Sequence, residues 1–177
     1  NVNNKVKKAT YFEYKMTIKQ MKKLNKFNIP NNAINIYGNH PVKSALLSSN
    51  RSCYLLCTTE NKFDNWNNFV KSNKVNIKII LLETFELNNI SNSKNHQGVI
   101  VIASKIIKTK LSEYLKNLSS KKTRILILDQ LTDPQNVGSI IRSAFAFNFD
   151  AVCLLKNNSP VETPSLIKAS AGEIDNI

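Results

Sequence analysis

Only four glycines and three arginines occur in the 177 residues, so the position of each carries weight. The three cysteines are odd in number and lie in apolar, strand-like runs: Cys53 and Cys57 in "CYLLC", Cys153 in "AVCLL". Thiols placed this way behave as small buried hydrophobes, and they fit a reduced, cytoplasmic compartment rather than a disulfide framework. The two histidines, His40 and His96, have no metal-ligand spacing to the cysteines, so no metal centre is indicated. No apolar run reaches the ~18 residues that a membrane span needs. The first residues are basic and polar, without the apolar stretch of a secretory signal. Internal repeats are absent, and low complexity is limited to a general excess of Asn and Lys.

What the chain has in quantity is positive charge. The formal charge is +13, with a pI of about 9.7. That balance favours a polyanionic partner, RNA or DNA. Lysine accounts for nearly all of it, and a compositional bias toward Lys, Asn and Ile would produce the same excess. Charge therefore supports a nucleic-acid partner without establishing one.

At 42% hydrophobic, the chain can build a core for one large or two small domains. Residues 1–33 read as a solvated basic extension with one short helix. The chain does not open on Met. Met16 is a candidate natural start, or the sequence is part of a longer reading frame. From residue 34 the pattern becomes regular. "NIYG", "SCYLLCTT", "NIKIILLE" and "GVIVIAS" read as strands. "NHPVKSALLSSN" reads as a helix with Pro41 in its first turn. "KFDNWNNFVKSNK" is an amphipathic helix with Phe63, Trp66, Phe69 and Val70 on one side, and "FELNNI" is a short helix or turn. This alternation predicts an α/β layer domain over 34–104. Residues 105–123 form a Lys- and Ser-rich connection, with one helical stretch, "KLSEYLKNL", and mark the domain boundary. Beyond it, "RILILD" and "AVCLL" read as buried parallel strands. "NVGSIIRSAFAF" is a helix with Asn136 as its cap. "TPSLIKAS" is a short helix with Thr163 as cap and Pro164 at the first position.

Parallel α/β sheets bind ligands beyond the carboxyl ends of their strands. Asp129 to Gly138 occupies that place after the strand 125–128. Gly138 lets a backbone or ligand come close. Asn136 offers both a donor and an acceptor. Arg142 can present a fork to a phosphate. On spacing alone, the same residues read equally well as a capped helix with a solvated arginine.

The stretch "LDQLTDPQNVGSIIRSAFAFNFDAVCLL", followed by "SPVETPSLIKASAGEID", resembles the opening of the SpoU/TrmH family of RNA ribose 2′-O-methyltransferases. The matching features run in order: Asp129, Asp133-Pro134, Asn136, Gly138, Arg142, then Ser170 and Gly172. "IYGNHPVKSALL" and "HQGVIVIAS" are similar to the small RNA-binding domain that precedes the catalytic domain in the rRNA-guanosine branch. The resemblance covers about residues 34–177. It implies a small N-terminal α/β RNA-binding domain followed, over 124–177, by the first part of a SPOUT-type (trefoil-knot) parallel-sheet methyltransferase domain. It implies S-adenosyl-L-methionine as cofactor and RNA, chiefly large-subunit rRNA, as partner. Asn136 and Arg142 are then catalytic-site residues. Arg142, Gly138, His96, Gln97 and Lys43 are then RNA-binding. For His40 and His96, local loop packing or capping is the slightly favoured alternative.

The later family signatures, a Gly-x-Glu element and a Ser-x-Asn-x-Ser element, do not occur before Ile177, so the knot is absent from this sequence. The family's dimer interface lies in that region as well. "AGEIDNI" stops as a new strand opens, which implies a continuation. Asn148 replaces the usual glycine after the motif helix, Glu173 a small residue, and Asp175 a glutamate that would help place Arg142 or RNA. Three readings follow. The first is an rRNA methyltransferase that is incomplete as given. The second is a non-catalytic, truncated RNA-binding remnant. The third is an unrelated basic nucleotide-binding α/β domain. An uncovered sheet edge and poor S-adenosylmethionine binding are expected of these 177 residues alone.

Overall fold

Val99–Ala103 is a run of five apolar residues, and all five are buried. A strand covered on both faces belongs inside a sheet, and this one, β4, lies there. The computed structural model describes residues 27–118, 122–157 and 159–177. Its first sheet has the order β1–β4–β2–β3, with β1 at Ile34–Tyr37, β2 at Cys53–Thr58 and β3 at Ile79–Leu81. β4 is antiparallel to both of its neighbours, while β2 and β3 run parallel.

The two faces of β4 separate with the strand period of two. Val99, Val101 and Ala103 pack with Val42, Ala45 and Leu46 of α1 (Asn39–Leu47) and with Trp66 and Val70 of α2 (Phe63–Ser72). Ile100 and Ile102 face the other way, onto Tyr37, Leu55, Cys57 and Leu87 of α3 (Thr84–Ser91). Phe27, Ile29 and Ala33 also pack on this second face. The end of the expected extension is therefore apolar cover for the sheet rather than solvated chain. Residues 1–26, with the short helix expected among them, lie outside the described residues. Burial pushes the Cys57 thiol up to about 12 and Cys53 up to about 11, so neither is a thiolate near neutral pH.

The connection after β4 carries α4 (Leu111–Lys116). A two-stranded parallel sheet follows, with β5 at Ile125–Leu128 beside β6 at Ala151–Leu154, joined through α5 at Pro134–Ala146. After α5, Asn148 takes the left-handed conformation, φ 55°, that the usual glycine would hold. One face of the sheet is open: no residue of β6 is fully buried, and Ile127 is 63% exposed.

The last element, α6 (Pro164–Ala169) with a 3-10 turn at Glu173–Asp175, is two-sided. Leu166 packs with Leu128, Val137 and Ile141 of the second half. Ile167 is fully buried in the core of the first half, and Ile174 touches both cores. The two halves are thus packed against each other through α6 and not merely tethered by residues 105–123.

Candidate functional site

The polar turn after β5 leads into α5, and Asp133 caps that helix: its Oδ1 accepts from the Gln135 N–H at 3.0 Å, with Pro134 at the first helical position. This corrects the expectation that Asn136 is the cap. A proline at the first position fixes the start three residues earlier than an Asn136 cap would. Asn136 lies in the first turn instead, exposed. Arg142 is also exposed, and no described residue pairs with it. Ser139 lies midway between them on the helix surface, its hydroxyl donating to the Asn136 carbonyl at 2.9 Å. Asn136 and Arg142 therefore lie at the two edges of the solvent-exposed arc of α5, about 120° apart around the helix and separated by roughly 9 Å of helical rise. They are not bonded to each other.

Gly138 is placed otherwise than expected. It is buried, and a Cβ there would lie 2.6 Å from both Ala169 Cβ and the Leu166 carbonyl oxygen. Its missing side chain admits the backbone of α6. The close approach inferred from the sequence is real, but the approaching partner is a helix, not RNA.

His96 is 3% exposed. Its Nδ1 accepts from the Gly98 N–H at 3.0 Å, and Nε2 faces Asn88 Oδ1 at 3.0 Å. An accepting Nδ1 requires the neutral ring protonated on Nε2. Burial first, then the nearby Lys168, hold its pKa below the ordinary histidine value. These are the marks of a loop brace, the packing alternative weighed for this residue. Gln97 is exposed, in a left-handed conformation (φ 57°), and its Oε1 accepts from the Asn39 N–H at 2.8 Å. It thereby caps α1, whose own capping position is the side-chain-less Gly38. Lys43 is exposed on α1, its Nζ 5.5 Å from the Phe69 ring centroid. His40 is exposed beside it.

Asp175 joins neither Arg142 nor an RNA surface. It is buried, and it accepts from Arg51 Nε at 2.7 Å and Nη2 at 3.3 Å. Arg51 Nη1 donates to the Ser104 carbonyl at 2.6 Å and lies 2.8 Å from Glu162 Oε1, whose other oxygen accepts from the Ile106 N–H. Burial raises the pKa of Asp175, and Arg51 pulls it back. Sequence reasoning missed this cluster, although the scarcity of arginine that drew attention to Arg142 applied equally to Arg51. Lys168 adds a further tie across the seam, donating to the Asn95 carbonyl.

The architecture is that of a two-part α/β protein with an arginine-bearing helix after its second-half parallel strand. Residues 35–108 match the model for RNA 2′-O ribose methyltransferase substrate binding, and residues 123–177 match the SpoU rRNA Methylase family. The chain belongs to the SpoU family. A relative, 23S rRNA (guanosine-2′-O-)-methyltransferase RlmB of Coxiella burnetii, is 34% identical over 77% of this chain and 56% of its own length. The RlmB of Neisseria meningitidis serogroup B is 34% identical over 80% of this chain and 58% of its own. The chain thus spans a little over half the length of these curated relatives. Among solved structures, the SpoU methyltransferase AviRb from Streptomyces viridochromogenes, in complex with AdoMet, has the same fold. Its TM-score is 0.64 at 18% identity, covering 92% of this chain and 60% of that one.

Among the described residues, nothing covers the outer face of β5 and β6 fully. With Ile127 63% and Leu155 42% exposed, that sheet presents an open face rather than a pocket. Among the described residues no helix is long and apolar enough to cross a membrane.

Proposed function

We propose that this chain supplies the RNA-recognition domain and the RNA-side half of the active site of an S-adenosylmethionine-dependent ribose 2′-O-methyltransferase acting on large-subunit rRNA. The observation that carries the reading is the unpaired, exposed Arg142 with Asn136 on the outer side of α5, directly after β5. A ribose hydroxyl is a poor nucleophile, and it has to be held in place and lose its proton as it reacts. Guanidinium groups do not serve as bases in proteins, so the role of Arg142 is to hold charge rather than to take the proton. Its fork holds a phosphate next to the reacting ribose and stabilises the negative charge developing on the 2′-oxygen. Asn136 hydrogen-bonds the ribose or its phosphate. The described residues of the second half leave the β5–β6 face open, and the site of the methyl donor is not assigned to them. The working protein in this reading is a cytoplasmic homodimer.

The test is methyl transfer from labelled S-adenosylmethionine to rRNA by the complete reading frame, read as alkali-resistant 2′-O-methyl dinucleotides. Wild type labels the RNA, and Arg142→Ala falls by about 100-fold or more. Unlabelled rRNA with the intact protein would overturn the proposal. The second reading, a non-catalytic RNA-binding protein, draws on the open β5–β6 face. It predicts RNA binding with no methylation in any version of the chain.

A further inference from the structure

Two shallow clefts of about 570 and 480 Å³ open on the first half of the molecule, and they share Asn39 and Lys62. They form one trough, running from the α1–α2 crossing, with Lys43, to the turn before β4, with Lys94 and Gln97. Its lining includes three lysines and five carboxamides but no carboxylate. Both clefts are open to solvent, unlike the enclosed, mainly apolar sites that hold small ligands. A trough of this form suits a polymer laid along it, and its charge selects a polyanion.

Two details show that the trough is shaped before any ligand arrives. Lys62 is half-buried, its stem lying across Gly98, where an added Cβ would come within 3.3 Å of Lys62 Cγ. This anchors the lysine at the junction of the two clefts. Gln97 has its amide orientation fixed by its cap on α1: the Asn39 N–H needs an acceptor, so Oε1 faces it. The NH₂ group is left over as an oriented donor on the trough wall.

We propose that this trough is the track of a single-stranded RNA segment, with Lys62 on its backbone at the midpoint and the Gln97 NH₂ as a fixed donor to it. The proposal rests on the reading that this domain recognises RNA, and it adds where and in which form. Carboxamides offer a donor and an acceptor together, which matches base edges that only unpaired nucleotides expose. Lysines supply sequence-independent backbone contacts.

The test is fluorescence anisotropy of the 177-residue chain with a single-stranded oligoribonucleotide of about 12 nucleotides and with its blunt duplex. The single strand is expected to bind about tenfold tighter than the duplex. Lys62→Ala is expected to weaken binding and to flatten the log–log salt slope by about 0.7. Gln97→Glu is the discriminating variant. The introduced carboxylate still accepts from the Asn39 N–H, and it sits at a helix N-terminus, where negative charge is favoured. The melting temperature should therefore hold or rise while single-strand affinity falls about fivefold or more through loss of the donor. Duplex binding as tight as single-strand binding would overturn the proposal. So would wild-type affinity in both variants. Failure of the wild-type chain to bind any RNA is a different result, and it would overturn the underlying functional reading.

Discussion

Arg51 and Asp175 stand 124 residues apart in sequence and meet in a two-pronged contact, 2.7 Å at Nε and 3.3 Å at Nη2, with both side chains fully buried. Arg51 lies just before β2, Asp175 in the turn after α6, and Glu162 just before α6 closes the group. One guanidinium thus fixes where the α6 seam sits on the first sheet. The net contribution of a buried ion pair is small, because desolvation offsets attraction, but removing one partner strands the others. Arg51→Ala would leave two buried carboxylates without a counter-charge and should cost about 3–5 kcal/mol. Arg51→Lys cannot reproduce the fork and should also destabilise, by less. Urea unfolding of the three proteins measures both effects. A midpoint for Arg51→Ala within error of wild type would mean that the seam does not depend on the cluster.

Gly138→Ala sets two effects of opposite sign against each other. Inside a helix, alanine is favoured over glycine by about 1 kcal/mol. Here the new methyl would lie 2.6 Å from the Leu166 carbonyl oxygen and 3.0 Å from the Ser170 nitrogen, both backbone atoms that cannot swing aside. Overpacking of this kind costs about 1–3 kcal/mol. The clash should win, and thermal melting should show a net loss of about 1–2 kcal/mol. A stabilised variant would show that α6 can move away from α5.

His96 predicts a pH dependence. Its folded pKa lies below the ordinary histidine value, first through burial and then through Lys168. A depressed folded pKa means that the neutral ring is the stable form. Its contribution is therefore fully present above the unfolded value near 6.5 and is lost as pH falls through the folded pKa. Protonation would also break the Gly98 N–H to Nδ1 bond. The melting temperature should drop between pH 7.5 and 5.5 by more in wild type than in His96→Gln. Parallel curves would remove His96 from the account.

The sequence made the element order legible because periodicity and punctuation agreed over most of the chain. Pro164 with Thr163 marked α6 correctly, and the alternation of strands with helices marked the α/β class. Strand direction was not legible. Nothing local tells β4 that it will lie antiparallel between β1 and β2, since a strand buried on both faces reads the same in either direction. The family-like residues were found by spacing, but spacing does not say what faces them. Gly138 turned out to meet the backbone of α6, Asp175 turned out to meet Arg51 across the seam, and Gln97 turned out to cap a helix 58 residues away. Contacts at that sequence separation are tertiary facts. Arg51 could have been flagged by its rarity, but its partners could not.

The open β5–β6 face makes a prediction about the cofactor. Titration of the 177-residue chain with S-adenosylmethionine in a calorimeter should show no stoichiometric micromolar binding, because the described residues leave the β5–β6 face open. Tight one-to-one binding would mean that the exposed face around Ile127 closes over the ligand, and the expectation drawn from the open face would fall.

Arg142 separates structure from chemistry most cleanly. It is exposed and has no partner among the described residues, so Arg142→Ala should leave the unfolding midpoint within about 0.5 kcal/mol of wild type. Single-stranded RNA affinity of the 177-residue chain should fall only modestly, by about threefold, because the trough lysines carry most of the backbone contacts. In the complete protein, methyl transfer should fall by about 100-fold or more, with RNA affinity changed no further. Measuring the three quantities on one variant distinguishes the roles. Lost stability would make Arg142 structural. A methylation loss no larger than the affinity loss would make it an ordinary RNA contact. A methylation loss far larger than the affinity loss places its guanidinium at the reacting ribose.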